Sequence, residues 1–349
     1  MVHAFFYLWY GNPATDGKYQ HWSHAVIPHW DESVQRRYDD VKDLVYQPPH
    51  EPHSPYFPAQ GLYSSKDGNV LREQMKELAD HGVGVVVVSW WGRPSVPKTH
   101  DGQGVNSDGA IRGVLDAAAT AGVKVAFHLE PYEGRSASSI RDDLEYIHKN
   151  YGSHSAVFKT TRTDLERLLV YIYDSYHVSL EEWMSLLDEK GSMTIRGTEL
   201  DVVAIGLLTD ERDAGSFPMV GFDGGYTYFA SPQGGTRAAR PALWGRIAKA
   251  AEESGMAFIP SVGPGYDDTK IRPWNTRSTV DREGGWTYVE TWRRAASVTT
   301  GAISITSANE WGEGTQIEPA KEHHVPPGQG IADEHRAQLH ASRSFPQYE

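Results

Sequence analysis

The 349-residue sequence contains no cysteine, and this absence excludes disulfide bonds, thiolate nucleophiles and zinc-thiolate sites. It also contains no Asn-x-Ser/Thr acceptor, which favours a bacterial origin over maturation in a eukaryotic secretory pathway. No apolar run approaches the ~20 residues that a membrane-spanning helix needs. Together with a mean hydropathy of -0.53, this predicts a soluble chain that makes no membrane contact of its own.

Basic residues are scarce as well, with 33 Lys and Arg against 46 Asp and Glu and a formal net charge of -13. This excess of negative charge argues against a nucleic-acid or anionic-membrane partner. Aromatic residues are plentiful, with 11 Trp and 18 Tyr. Their flat apolar faces and polar edges suit stacking on the C–H faces of sugar rings, but large barrels also bury Trp for structural reasons. The aromatic content therefore leaves both interpretations open.

Short apolar runs alternate with amphipathic stretches along the chain. Eight runs predict buried strands, at residues 2–10, 83–91, 123–132, 168–174, 200–208, 219–228, 256–265 and 301–311. Five stretches between them have helical periodicity and end in Gly where a helix C-cap is expected, at residues 69–82, 109–122, 139–152, 179–191 and 240–255. Apolar strands alternating with helices indicate a parallel sheet that is covered on both faces.

Eight such units predict an α/β fold, a single (β/α)8 TIM barrel. An open doubly wound sheet is the alternative, but no strand is followed by a G-x-G-x-x-G loop. No linker, repeat or low-complexity segment divides the chain, so residues 1–349 are predicted to form one domain. Residues 11–68 exceed an ordinary loop length, which predicts an extended functional loop at the active site. Residues 320–349 are predicted to be a C-terminal tail.

The barrel assignment places functional residues at the C-terminal ends of the strands. The segment SANEWGEGTQIEP, residues 307–319, follows the last predicted strand and holds Glu310, Glu313 and Glu318 without a basic residue. Like charges this close repel one another, so at least one carboxyl should hold a proton, and a raised pKa makes such a group usable as a general acid. We interpret Glu310 and Glu313 as an acid/base pair and Glu318 as structural. The alternative is that one Glu pairs with Arg272 and only fixes the loop.

Six segments extend this pattern: WYGNPATDGKYQHWSHAVIPHW (9–30), FHLEPY (127–132), YDSY (173–176), GFDGGYTYFA (221–230), FIPSVGPGYDDTKIRPWNT (258–276) and SITSANEWGEGTQIEP (304–319). In this order, from about Val2 to Pro319, they resemble glycoside hydrolase family 99, the endo-α-1,2-mannosidases and endo-α-1,2-mannanases. The resemblance implies a barrel enzyme that cuts inside α-mannose chains at Man-α-1,2-Man linkages, with retention of configuration. It implies no metal and no other cofactor.

The resemblance also implies catalytic roles. Glu313 is then the general acid that protonates the leaving oxygen. Glu310 is a base that takes the proton from the substrate's own 2-hydroxyl, whose oxygen attacks C1 to give a 1,2-anhydro sugar. This route is stereochemically open because O2 and the leaving group of an α-mannoside stand on opposite faces of the ring, and it differs from the usual retaining pair of carboxylates ~5 Å apart. Gly312 departs from the animal pattern, which has His at this position.

Other positions match residues that bind substrate in the family. The predicted substrate contacts are Tyr10, Lys18, His21, Trp22, Trp91, His128, Glu130, Tyr132, Tyr228 and Arg272. Trp91 stands where the mannan-degrading bacterial members carry Trp and the animal enzymes carry Tyr, so the resemblance implies mannose rather than glucose beyond the cleaved sugar. The alternative is that Trp91 packs in the core and Trp90 faces the cleft, since a shift of one residue along a strand reverses the face.

No metal site is predicted, because the spacings of His21, His24 and His29 match no compact ligand motif, and the same holds for the neighbouring pair at 323–324. The expected partner is a manno-oligosaccharide or α-mannan. A secreted or periplasmic bacterial location is predicted, or the Golgi lumen in a eukaryote. Because the first strand begins at Val2, any export signal or anchor is expected to have been removed. Two alternatives remain for function: a non-catalytic carbohydrate-binding barrel, and a double-displacement glycosidase in which Glu310 bonds to C1.

Overall fold

A computed structural model describes residues 1–230 and 236–325. The strands in these ranges are β1 (Val2–Phe6), β2 (Phe57–Pro58), β3 (Val85–Trp90), β4 (Lys124–Leu129), β5 (Lys159–Arg162), β6 (Leu165–Ile172), β7 (Val202–Leu207), β8 (Gly224–Tyr226), β9 (Ala257–Ile259), β10 (Ser261–Val262), β11 (Ile303–Ile305) and β12 (Ala320–Lys321). The α-helices are α1 (Pro13–Asp16), α2 (Glu32–Gln35), α3 (Gly68–Asp80), α4 (Asp108–Ala121), α5 (Ala137–Asn150), α6 (Leu180–Leu187), α7 (Asp213–Ser216), α8 (Trp244–Glu253) and α9 (Trp286–Val298). Short 3-10 helices cover Asp39–Val41, Ser175–His177, Pro218–Val220, Arg237–Ala239, Pro241–Leu243, Pro273–Ser278 and Glu283–Gly285.

The main sheet is a parallel barrel. Its strands follow the order β1, β3, β4, β6, β7, β8 and β9, and β11 pairs with β1 on the other side. Only Pro260 separates β9 from β10, and β10 pairs in parallel with β11, so this bent strand closes the circle. A proline at the bend is compatible with the sheet because it has no N–H to donate to a neighbouring strand. The prediction of a (β/α)8 barrel is confirmed, and the doubly wound alternative is wrong.

The strands are apolar because both of their faces are buried. Inward-facing side chains such as Phe5, Val87 and Tyr171 fill the interior of the barrel. Outward-facing side chains such as Val86, Val88 and those on the helices form a separate core between the sheet and the helical layer. Burial on both sides removes the alternation of polar and apolar residues that a one-sided sheet would show. All eight predicted strands and all five predicted helices are found at the expected places.

Several elements were not predicted from the sequence, among them α9, β5 and β12. Helix α9 has Tyr288 and Trp292 against the core and Trp286 and Val289 exposed. Strand β5 pairs antiparallel with the N-terminal half of β6 across a tight turn, and it lies outside the circle of barrel strands. Strand β12 pairs antiparallel with β2, so the start of the predicted tail is attached to the long first loop. The remainder of that tail, residues 326–349, lies outside the described residues.

The first loop, residues 11–68, is largely ordered over the C-terminal ends of the strands. Helix α1 begins after Asn12, whose side chain accepts from the backbone N–H of Thr15. The loop returns to the barrel through Trp22, which is fully buried and donates from Nε1 to the carbonyl of Tyr63. Its residues thereby form one wall of the cleft described below. No helix within the described ranges is long and apolar enough to cross a membrane.

Candidate active site

A cleft opens at the C-terminal ends of the barrel strands, where the fold predicts the active site. It consists of two neighbouring lobes of about 280 and 260 Å³. The first lobe is lined by Tyr7, Trp9, His21, His24, Ile27, His53, Trp91, Asp101, Gly102, Gln103, Glu130, Pro131, Tyr173, Tyr228, Ile271, Arg272, Glu310 and Glu313. The second lobe is lined by Trp30, Tyr173, Tyr228, Phe229, Ala230, Tyr266, Arg272, Trp274, Asn275, Ser278 and Glu313. Both lists contain Tyr173, Tyr228, Arg272 and Glu313, which therefore form the junction between the lobes.

Glu310 and Glu313 both line the cleft, on the segment that follows β11. Glu310 lies deeper, with 6% of its surface exposed, and its Oε1 accepts from the backbone N–H of Gly312 at 3.2 Å. Burial and the neighbouring Glu313 raise the pKa of Glu310 well above its ordinary value. Burial also raises the pKa of Glu313, although Arg272 opposes this shift. The pair can therefore retain a proton at a pH where ordinary carboxyl groups have lost theirs.

Arg272 is held between two carboxylates. Its Nη1 donates to Asp268 Oδ2 at 3.0 Å and to Glu313 Oε1 at 3.3 Å. Asp268 is completely buried and also accepts from the Asn275 amide and the Tyr266 hydroxyl. The predicted alternative, an ion pair between Arg272 and one Glu, is thus present in the structure. It exists within the cleft, so it sets the electrostatics of Glu313 instead of removing this residue from the site.

A buried chain of hydrogen bonds orients Glu130 in the first lobe. His128 Nδ1 lies 3.0 Å from Glu130 Oε1, and His128 Nε2 lies 2.7 Å from the hydroxyl of Tyr226. Both His128 and Tyr226 are buried and neither lines the cleft. His128 therefore acts through Glu130, since a carboxylate held by a fixed imidazole has a defined orientation.

Of the neighbouring residues Trp90 and Trp91, Trp91 faces the cleft. It is half-buried, lines the first lobe, and its Nε1 has no hydrogen-bond partner among the described residues. Trp90 is fully buried, and its Nε1 donates to Asp108 at 2.9 Å on the helical side of the sheet. The alternative in which Trp90 faces the cleft is therefore wrong.

Histidines of the first loop complete the wall opposite the strands. His21 Nε2 lies 2.6 Å from Asp101 Oδ2, and the ring of Trp9 stacks on His21 at 4.2 Å. His24 and His53 also line the first lobe. Burial lowers the pKa of His24 to about 4 and that of His53 well below its ordinary value, so both rings are neutral at pH 7. Within residues 1–230 and 236–325, no three His, Asp or Glu side chains are arranged to hold a metal ion.

Seven of the predicted site residues meet in the cleft: His21, Trp91, Glu130, Tyr228, Arg272, Glu310 and Glu313. Five do not line it. Tyr10 and Trp22 stack on each other behind the wall, with ring centroids 4.1 Å apart, and Tyr10 donates to the carbonyl of Asn309. The Tyr132 hydroxyl donates to Asp143 and lies 2.8 Å from Ser139 Oγ, His128 lies behind Glu130, and Lys18 is exposed on the first loop. These five residues were predicted from the sequence as substrate contacts. In the structure they lie near the cleft but do not line it.

Several residues of the site were not predicted: Asp268, which is buried behind Arg272, and His53 and Asp101, which line the first lobe. Asp268 and Arg272 are four residues apart, a spacing at which side chains can meet on one helical turn, and this signal could have identified the pair. His53 and Asp101 carry no comparable signal. Glu318 is half-buried outside the cleft, where Tyr63, Gln74 and Trp311 donate to it. The structure agrees with its interpretation as a structural residue.

Comparison with known proteins identifies the family. The profile of glycosyl hydrolase family 99 matches residues 1–332. The chain belongs to glycoside hydrolase family 99. A human glycoprotein endo-alpha-1,2-mannosidase-like protein is 42% identical over 91% of this chain and 68% of its own length, and a rat glycoprotein endo-alpha-1,2-mannosidase is 41% identical over 91% and 68%. The fold matches the family 99 endo-alpha-mannosidase of Bacteroides thetaiotaomicron with a TM-score of 0.81 and 35% identity, over 98% of this chain and 97% of that one.

The family membership agrees with the chemistry of the cleft. This chain is a glycosidase, and its cleft holds two carboxyl groups beside aromatic side chains. Both Glu residues that the resemblance implied as catalytic lie in one cavity. The barrel enzyme predicted from the sequence is confirmed at the level of family and enzyme class.

Proposed function

We propose that this protein is an endo-acting hydrolase that cleaves internal Man-α-1,2-Man linkages of an α-mannan or manno-oligosaccharide. The observation that carries the proposal is the position of Glu313 at the junction of two lobes, with Glu310 in the first lobe only. An endo-acting enzyme needs binding space on both sides of the scissile bond, and a general acid must reach the oxygen between them. The names of the relatives support the linkage.

Glu313 is proposed as the general acid and Glu310 as the base that deprotonates the 2-hydroxyl of the cleaved mannose. The oxygen of that hydroxyl forms a bond to C1 as the bond from C1 to the leaving oxygen breaks, and Glu313 supplies the proton that the leaving oxygen needs. Water then opens the 1,2-anhydro sugar from the opposite face, so the configuration is retained. The first lobe would hold the cleaved mannose through Glu130, Tyr228 and Arg272, with Trp91 beside the preceding mannose.

The proposed roles require the proton shared by Glu310 and Glu313 to change its place when substrate binds. Arg272 donates to Glu313 and favours its anion, while among the described residues no cationic side chain is hydrogen-bonded to Glu310, so without substrate the proton of the pair is favoured on Glu310. The proposed roles require the reverse arrangement. A 2-hydroxyl that donates to Glu310 would stabilise its anion, and the coupled pair then places the proton on Glu313.

Tyr10, Trp22, Tyr132 and His128 are proposed to support the site through the residues they contact, and Lys18 to bind sugar units beyond the lobes. Their effect on activity should therefore be indirect. A secreted or periplasmic location stays a prediction.

The acid assignment is tested with Glu313→Gln on two substrates. Loss of the acid should lower kcat/KM strongly on an α-1,2-linked manno-oligosaccharide and much less on a mannosyl-mannosyl fluoride, because only the poor leaving group needs a proton; general acid catalysis contributes about 10²–10⁴-fold. Glu310→Gln should abolish turnover of both substrates while calorimetry still detects binding. The wild-type kcat/KM should show a bell-shaped dependence on pH, and its two apparent pKa values should belong to Glu310 and Glu313 as a coupled pair.

Equal losses on the two substrates for Glu313→Gln would contradict its role as the acid. If Glu310→Gln, and not Glu313→Gln, kept its kcat/KM on the fluoride substrate while losing it on the oligosaccharide, the two roles would be reversed. A covalent sugar adduct on Glu310 would establish the double-displacement route in place of the anhydro sugar.

A further inference from the structure

The second lobe carries an aromatic platform at its mouth. Trp30 is 81% exposed although it is a large apolar side chain on an ordered loop. Its ring is held from two sides: His29 stacks on it with ring centroids 4.0 Å apart, and Trp274 meets it edge-on at 5.1 Å. Trp274 is itself fixed, since its Nε1 donates to the carbonyl of Ile27 at 3.0 Å. His29 covers one face of the Trp30 ring, and the high exposure of this side chain leaves the other face open among the described residues.

The second lobe is lined by both aromatic and polar side chains. Trp30, Trp274 and Phe229 supply apolar ring surface, and Arg272, Asn275 and Ser278 bring polar groups to the same lobe. A pyranose combines the same two kinds of surface, with C–H groups on its faces and hydroxyl groups around its edge. An aromatic ring that stacks on one face while polar groups contact the edge is a suitable receptor for it.

The direction of the cleft follows from the two Glu residues and rests on the proposed function. Glu310, proposed to act on the 2-hydroxyl of the cleaved sugar, lines only the first lobe, and Glu313, proposed to protonate the leaving oxygen, lines both. The sugar that departs must therefore extend from the junction into the second lobe. This lobe leads to Trp30.

We propose that Trp30 and Trp274 form the stacking platform for mannose units on the leaving-group side, and that Trp30 thereby determines how strongly the enzyme prefers substrates that extend beyond the scissile bond. The occupant is the reducing-end part of an α-mannoside. Trp274 acts as a positioning residue for Trp30 as well as a wall of the lobe.

The test compares Trp30→Ala with the wild type on an α-1,2-linked mannotetraose and on mannosyl-mannosyl fluoride, which has no sugar on the leaving side. We expect kcat/KM to fall about tenfold on the tetraose, from the loss of one stacking contact, and to be unchanged on the fluoride. Trp30→Phe should keep most of the wild-type value, because it retains an aromatic face. The matched control is Trp286→Ala, which removes another exposed Trp that lines neither lobe.

The proposal would be overturned if Trp30→Ala lowered kcat/KM equally on both substrates, or lowered it on neither. Binding of α-1,2-mannobiose by calorimetry separates this outcome from a failure of the proposed function. If the wild type cleaves nothing but binds mannobiose, and Trp30→Ala weakens that binding about tenfold, the platform stands and the proposed reaction is wrong. Equal affinity of the two proteins for mannobiose would overturn the platform itself.

Discussion

At the scale of single residues, Gly312 and His53 share one small space beside Glu310. A Cβ atom added to Gly312 would lie 2.6 Å from His53 Nε2 and 3.3 Å from Glu310 Oε1. The ring of His53 reaches this point from the first loop and is almost completely buried. Members of the family with His at the position of Gly312 would bring an imidazole from the opposite segment. In this chain an imidazole from the loop occupies that space, and Gly312 is the residue that permits it.

We therefore expect Gly312→Ala to lower both stability and activity, because the buried His53 ring has to move and the added methyl group presses against Glu310. Overpacking of this kind costs about 1–3 kcal/mol. His53→Ala opens the space, so the double variant should recover most of the lost stability. Thermal unfolding and kcat/KM of the four proteins give the coupling between the two positions. Additive effects in this cycle would show that the ring and the new methyl group do not meet.

At the scale of elements, Glu318 joins three parts of the barrel that are distant in sequence. Its carboxyl group accepts from Gln74 on α3, from Tyr63 at the end of the first loop and from the indole of Trp311. Despite these donors, burial raises its pKa to about 7. The folded protein therefore binds this proton more strongly than the unfolded chain does. The stability that results is present at low pH and is lost as the pH rises through about 7.

Glu318→Gln should accordingly stabilise the protein at pH 8 by roughly 1–3 kcal/mol and change little at pH 5. The new amide can donate to Gln74 Oε1, which has no hydrogen-bond partner among the described residues, if the Gln74 amide turns over. Urea unfolding at the two pH values measures the difference. Glu73→Gln, an exposed change on the same helix, is the control and should show no such pH dependence. Equal effects of Glu318→Gln at both pH values would mean that Glu318 is ionised throughout.

At the scale of the whole molecule, the two ends of the barrel have different tasks. The cleft occupies the C-terminal ends of the strands, whereas a buried ion cluster ties together their N-terminal ends near the starts of β7 and β8. Arg196 donates to Asp201 at 2.9 Å and to Asp223 at 3.0 Å, and Arg162 contacts the same two carboxylates. Function and stability are thus placed at opposite ends of the barrel, as is usual for this fold.

Replacing Arg196 by Met should reduce stability by about 3–5 kcal/mol, because it leaves the buried Asp201 and the half-buried Asp223 with one cation fewer. At a temperature where the variant is still folded, kcat/KM should equal that of the wild type, since the cluster does not contact the cleft. Arg294→Met breaks an exposed pair with Glu290 and is the control, with an expected cost of about 0–1 kcal/mol. A loss of kcat/KM in folded Arg196→Met would show that the two ends are coupled.

The sequence by itself determined the barrel, the order of its strands and the rim at which Glu310 and Glu313 lie. Strands buried on both faces must be apolar throughout, and parallel strands bring their C-terminal ends to one rim, so periodicity alone placed Glu130, Glu310 and Glu313 together. Trp91 could be placed at that rim, but the choice between it and Trp90 needed the register of β3, because neighbouring residues on a strand point to opposite faces.

Only the tertiary structure decided which residues of the long first loop reach the cleft. His53 and Trp30 have no periodic signal, and their positions depend on how residues 11–68 pack over strands that are far away in the chain. The same applies to Tyr10 and Trp22, which motif matching assigned to the pocket but which stack on each other behind its wall. Local sequence specifies the periodicity of strands and helices. The direction of a loop side chain is set by contacts with residues that are distant in sequence, and the residues around it do not indicate those contacts.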